Sequence, residues 1–213
     1  MGVEQSRVSV VNLEKETKNR TDKFWETDNY EGNCKRTQTN GGTLKGKTIE
    51  IAGQYIVKFM TNINNPRILE VGSGNGFNTN ILFNIIHDTF NDIMFTATDL
   101  YEYSQSYFDI ETNMLSHDAV KKYQGLFNIM LLVSPMDNNY MDYYAIKEYE
   151  NIKMNEPKYV IFIGELGASD GGDGMYHYML NDSIWKLKKR EMLDKHYDVI
   201  CGNVEKELFI FSN

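Results

Sequence analysis

The chain has 213 residues, 41% hydrophobic and 24% charged, with a formal charge of -8, which suits one domain of ordinary globular composition. That acidic balance argues against a broad basic face for nucleic-acid phosphates, and no DNA-binding module is evident. No apolar run approaches the roughly 20 residues of a transmembrane segment, and the start lacks the order of a secretory signal. The two cysteines, Cys34 and Cys201, form neither a CxxC nor a His/Cys metal spacing, so a cytoplasmic protein without a disulfide framework or a metal site is expected.

Residues 1–47 are polar, carry no sustained apolar period, and have Phe24, Trp25 and Tyr30 as their only large aromatics. They read as an irregular or partly helical arm, with 48–213 as the folded domain. Up to Thr48 there are nine Lys/Arg against seven Asp/Glu, a balance of +2 that leaves -10 for the remainder. Met1-Gly2-Val3-Glu4-Gln5-Ser6 matches the MGxxxS myristoylation pattern, a cheap match that chance explains, and one acyl chain binds membranes only marginally. Asn40-Gly41-Gly42 signals a loop, after which Ile49, Ile51, Ala52, Tyr55, Ile56 and Phe59 fall at helical spacing until Pro66.

Short apolar runs then alternate with amphipathic stretches, which predicts a largely parallel sheet with interleaved helices. The strand candidates are Arg67 to Val71, Met94 to Thr98, Ile129 to Val133, Tyr159 to Ile163, Tyr197 to Cys201 and Leu208 to Phe211, with a further short strand before His117. The helix candidates are Asn78 to His87, Tyr103 to Met114, Met141 to Ile152 and Met175 to Lys195. The last two strands are joined only by Gly202-Asn203 to Glu207, too short for a helical crossover, so a terminal antiparallel hairpin is expected.

Ile68-Leu69-Glu70-Val71-Gly72-Ser73-Gly74-Asn75-Gly76 is an apolar strand running into a glycine-rich turn. Glycines there permit positive φ and let a ligand approach the main chain with no Cβ in the way. A turn at the carboxyl end of the first strand lies where doubly wound sheets open their ligand crevice. A dinucleotide fingerprint would need its third glycine at Phe77, which disfavours a nicotinamide-dependent oxidoreductase.

Glu70-x-Gly72-x-Gly74-x-Gly76 resembles the first motif of class I S-adenosylmethionine-dependent methyltransferases, and the resemblance covers roughly residues 49 to 213. It implies a Rossmann-like, doubly wound, seven-stranded α/β sheet, mostly parallel with a C-terminal antiparallel hairpin. It also implies S-adenosylmethionine as cofactor. Gly72, Ser73, Gly74, Asn75 and Gly76, with Glu70, would hold its methionine part and ribose, Asp99 the ribose diol, and Leu100 or Tyr101 would lie against the adenine. His117-Asp118-Ala119 resembles the third motif, where the Asp118 carboxylate would accept from the adenine amino group and the Ala119 amide would reach the ring.

Leu131-Leu132-Val133-Ser134-Pro135-Met136 resembles the fourth motif, at the strand end that faces the methyl group. Ser134-Pro135-Met136 stands where amino methyltransferases carry (Asn/Asp/Ser)-Pro-Pro-aromatic, which implies a nitrogen acceptor oriented by Ser134 and Pro135, with Glu165 taking or relaying its proton. Met136 departs from the second proline, and the nearest aromatic is Tyr140. The second half resembles a poorly characterised methyltransferase-like group with Trp-Pro-Pro after the fourth strand and Gly-Glu after the fifth, here Ser134-Pro135-Met136 and Gly164-Glu165. The acceptor could be a small molecule, a protein or RNA. A catalytically silent binding or scaffold protein on the same fold is the alternative.

Overall fold

The structure, a computed structural model, describes residues 46–135, 140–164, 175, 178–198 and 202–213. Residues 1–45 of the arm therefore lie outside the described residues, as do Met136, Glu165 and the connection 199–201, while Gly46 and Lys47 belong to a helix.

In chain order the elements are α1 (Gly46–Met60), β1 (Arg67–Val71), α2 (Phe77–His87), β2 (Met94–Thr98), β3 (Ile110–Glu111), α3 (Ser116–Lys122), β4 (Ile129–Val133), α4 (Met141–Asn151), β5 (Tyr159–Gly164), a π-helical turn (Tyr178–Asp182), β6 (Lys186–Asp198) and β7 (Gly202–Ser212). The seven strands form one sheet in the order β3-β2-β1-β4-β5-β7-β6. β1 to β5 run parallel, and β7 joins antiparallel to both β5 and β6. The expected α/β architecture with its terminal hairpin is the one observed.

Alternating strand residues feed two cores, as the two-residue period of a strand requires. Leu69, Val71, Met130, Leu132, Val160, Phe162, Phe209 and Phe211 pack with α3, α4 and the π-helical turn on one face. Ile68, Ile129, Leu131, Val133, Ile161, Ile163, Leu208 and Ile210 pack with α1 and α2 on the other. The helix after β1 and the helix after β4 thus lie on opposite faces, so the strand order reverses between β1 and β4 and opens a crevice at their carboxyl ends. Among the described residues no helix is long and apolar enough to cross a membrane.

Two expected helices are corrected. Tyr103, Tyr107, Ile110 and Met114 have helical spacing, yet this stretch is irregular apart from β3. Its side chains are claimed elsewhere: Phe108 packs on Phe83 and Phe95, Tyr107 on Phe77, and the Tyr107 N–H donates to the Asn75 carbonyl at 2.8 Å. Such tertiary contacts outweigh a weak helical pattern. Within the stretch from Met175 to Lys195, Met175 and Tyr178–Asp182 are helical among the described residues, and Lys186 onward is strand β6. Register shifts between Leu187 and Lys189 and between Met192 and Asp194 break the alternation that would have marked a strand. Gly202 to Glu207, expected as the hairpin connection, belongs to β7, with Asp198 facing Gly202.

Candidate cofactor crevice and acceptor edge

The glycine turn leaves β1 and is tied to β2 by its own main chain. The Thr98 carbonyl accepts from the N–H groups of Gly72 at 2.9 Å and Ser73 at 3.1 Å, and from the Ser73 hydroxyl at 3.2 Å. Gly72, Gly74 and Gly76 all have positive φ, at 74°, 60° and 78°. The need for glycine is sharpest at Gly76, where a Cβ would stand 2.8 Å from Phe108 Cβ and 3.0 Å from Phe108 N. The Asn75 side-chain oxygen accepts from the Phe77 N–H at 3.2 Å, closing a side-chain turn over Gly76, the N-cap of α2.

Asp99 follows β2 and reaches back to this turn. Its carboxylate accepts from the Gly74 N–H at 2.8 Å, the Tyr101 N–H at 2.8 Å and the Tyr103 hydroxyl at 3.3 Å. Burial pushes the Asp99 carboxyl up to about 6, against these donors, which pull it down. Glu70, at the end of β1, is 1% exposed, and neither carboxylate oxygen has a hydrogen-bond partner. Burial, with a smaller push from the Asp99 charge, raises its carboxyl to about 8; the Thr79 hydroxyl eases this from nearby without forming a hydrogen bond of good geometry. Leu100 is partly buried beside Asp99.

The structure thus gathers Glu70, the glycine turn, Asp99 and Leu100. Of the third-motif residues, the structure corrects the role expected for the Ala119 amide. Asp118 is in the first turn of α3 with its side chain 53% exposed, near His117 and Lys121. The Ala119 N–H donates to the Leu115 carbonyl at 2.9 Å, so this amide is taken up in the helix, not offered to a ring.

On the acceptor side, Ser134 has φ of 44° and donates its N–H to the Ile163 carbonyl at 2.7 Å, and Pro135 is buried. A non-glycine residue in the left-handed region ahead of a proline is strained, and such strain concentrates at functional sites. Val133 pairs with Ile163, which sets Ser134 beside the carboxyl end of β5, from which Glu165 leaves. Two contacts escaped the sequence reading. Tyr103 reaches Asp99 from a stretch with a helical period, and Met141, the first residue of α4, packs on Gly72. The first contact spans only four residues but in a stretch whose apolar period predicted a helix, and the second joins residues far apart in sequence, so no spacing signals either.

No family model matches the chain, and no curated protein matches it. Solved structures do. An O-methyltransferase from Bacillus cereus in complex with SAH is similar at a TM-score of 0.51 and 9% identity, over 83% of this chain and 86% of that one. The CMeT domain of the citrinin polyketide synthase is similar at 0.51 and 12%, over 76% and 51%. The DszA carbon methyltransferase is similar at 0.44 and 13%, over 76% and 53%, so the chain spans about half the length of these last two. The chain has the fold of class I S-adenosylmethionine-dependent methyltransferases.

Proposed function

We propose that the protein is an S-adenosylmethionine-dependent methyltransferase. The observation that carries this reading is the crevice between β1 and β4. There a glycine turn with three positive φ angles is held by the Asp99 carboxylate beside a buried Glu70 that lacks hydrogen-bond donors. A buried carboxyl without donors ionises only at a cost, so it keeps its proton until a ligand supplies a positive partner. The residues fit a ligand with an ammonium group at one end and a ribose diol in its middle. Glu70 and the Gly72 to Gly76 main chain would hold the amino-acid part, Asp99 the diol, Leu100 the adenine face and Asp118 the adenine amino group, reached from the first turn of α3.

The cofactor supplies an electrophilic methyl group on a sulfonium. This chain's residues then need to position an acceptor and exclude water, since little covalent help is required. Ser134 and Pro135 border the acceptor, and an amine oriented by the Ser134 hydroxyl and a main-chain carbonyl would keep its lone pair toward the methyl. The nitrogen–carbon bond would form as the sulfonium's carbon–sulfur bond breaks, leaving the neutral thioether, and the amine's proton would pass to Glu165. The test is labelled-methyl transfer to a panel of amine, hydroxyl and thiol acceptors, with the methylated atom identified by mass spectrometry. An N-methylated product with at least tenfold slower turnover in Ser134→Ala and Glu165→Gln is expected. An O- or S-methylated product, or full turnover in both variants, removes the nitrogen assignment.

A further inference from the structure

Gly72 ends the turn's first step on the β1 side of the crevice, and Met141 opens the helix that follows β4 on the other side. A Cβ built on Gly72 would overlap Met141 Cε and stand 3.0 Å from its Sδ. The space that a glycine keeps open for a ligand is therefore taken by a thioether side chain of this same chain. A second contact of the same kind lies at the end of β2. Asp99 accepts a hydrogen bond from the Tyr103 hydroxyl at 3.3 Å, alongside the two main-chain donors that anchor it. A phenol hydroxyl thus lies where a sugar hydroxyl would bond.

Both contacts fall on the crevice and on different halves of it, one against the turn glycine and one against the carboxylate. We propose that Met141 and Tyr103 occupy the two halves of the cofactor crevice in place of the ligand and set its affinity, because each must withdraw before the cofactor can seat. Met141 fills the place of the amino-acid chain and Tyr103 that of the ribose hydroxyl. This rests on the methyltransferase reading. A competing occupant lowers apparent affinity by the fraction of molecules in which the site is open. Removing either occupant should therefore tighten binding, whereas removing a ligand contact would weaken it.

The experiment measures S-adenosylhomocysteine and 5′-methylthioadenosine binding by calorimetry to the full chain and to Met141→Ala, Met141→Leu and Tyr103→Phe, each checked for folding by circular dichroism. Met141→Ala should bind S-adenosylhomocysteine about tenfold more tightly and 5′-methylthioadenosine, which lacks the amino-acid chain, unchanged. Met141→Leu, which keeps the volume, should behave as the unmodified protein. Tyr103→Phe should tighten both ligands about fivefold, the loss of one competing hydrogen bond. Weaker or unchanged S-adenosylhomocysteine binding in Met141→Ala and Tyr103→Phe overturns the proposal and leaves the methyltransferase reading in place. A gain for 5′-methylthioadenosine in Met141→Ala overturns the division of the crevice between the two side chains. Absence of binding to the unmodified protein and to every variant removes the cofactor reading itself, and the proposal with it.

Discussion

On the proposed reading Asp99 has two tasks, which two measurements on a single substitution separate. Its carboxylate bonds the Gly74 and Tyr101 amides, so it shapes the turn as well as presenting a charge to the crevice. Asp99→Ala should weaken S-adenosylmethionine binding by about ten- to a hundredfold, the worth of a charged hydrogen bond of roughly 1.5–3 kcal/mol. It should also lower unfolding free energy by about 1–3 kcal/mol, because two amides lose their acceptor. Calorimetry and urea denaturation read the two effects, and unchanged affinity in the folded variant would end the assignment. A glycine pair makes a second residue-scale comparison. Gly76 and Gly125 share a φ of 78°, but a Cβ at Gly125 meets nothing within 4 Å, while one at Gly76 meets the Phe108 backbone. Gly125→Ala should cost about 1 kcal/mol of backbone strain alone. Gly76→Ala should cost about 2–4 kcal/mol, because Phe108 and Ile110 must also shift. Equal midpoint losses in denaturant would show that the crossing of Phe108 over the turn is not tight.

At the scale of elements, the C-terminus of α4 depends on one buried cation. Lys158 is 3% exposed, and its ammonium donates to the carbonyls of Tyr149 at 2.8 Å, Glu150 at 2.9 Å and Ile152 at 2.9 Å. These carbonyls lie at the C-terminal end of α4, where the Tyr149 carbonyl also accepts from the Ile152 N–H at 3.2 Å, and a cation there meets the negative end of the helix dipole. The ammonium lies 5.2 Å from the Tyr149 ring centroid and 5.6 Å from that of Trp185, and the two rings stack. Burial holds the Lys158 amine below its ordinary range, partly offset by Glu150. Lys158→Met keeps the volume and strips the carbonyls of their donor, so unfolding free energy should fall by about 2–4 kcal/mol with the fold retained; a loss under about 0.5 kcal/mol in urea would make this cap incidental.

Sequence legibility follows the same division between local and distant causes. The bounds of β1, β2 and β4 were readable because each is a short apolar run between turn signals, and the start of the crevice was readable from glycines whose φ the turn dictates. β6 was not, because its two register shifts scramble the alternation and its exposed Leu187 and Met192 sit among lysines. Met141 was not, because only the folded sheet brings it to Gly72, and Tyr103 was not, because its stretch carries a helical period although it bonds Asp99 only four residues away.

Over the whole molecule, the two buried carboxyls at the crevice tie stability to pH. Glu70 is raised to about 8 and Asp99 to about 6, from ordinary values of 4.5 and 3.8. Both groups therefore hold a proton more firmly in the folded than in the unfolded chain. Stability from them is fully present below about pH 4, falls as pH rises through that window, and is lost above about pH 8. The Glu70 share by pH 8 is on the order of several kcal/mol, since each tenfold difference in proton affinity between the folded and unfolded chain is worth about 1.4 kcal/mol. Glu70→Gln cannot ionise and is close in shape, so its melting temperature relative to the unmodified protein should climb steadily from pH 5 to pH 8. The comparison between the two proteins cancels the titration of groups that do not interact with Glu70; Asp99, whose charge acts on Glu70, contributes a smaller part of the difference. Cofactor should act in the opposite sense. An ammonium at Glu70 favours the ionised carboxylate, so binding releases a proton and affinity should strengthen by up to about tenfold between pH 6 and pH 7. Calorimetry in buffers of different ionisation enthalpy measures that proton directly. A flat difference in melting temperature across the range would mean that Glu70 is already ionised without ligand, and proton uptake on binding would reverse the role assigned to the carboxylate.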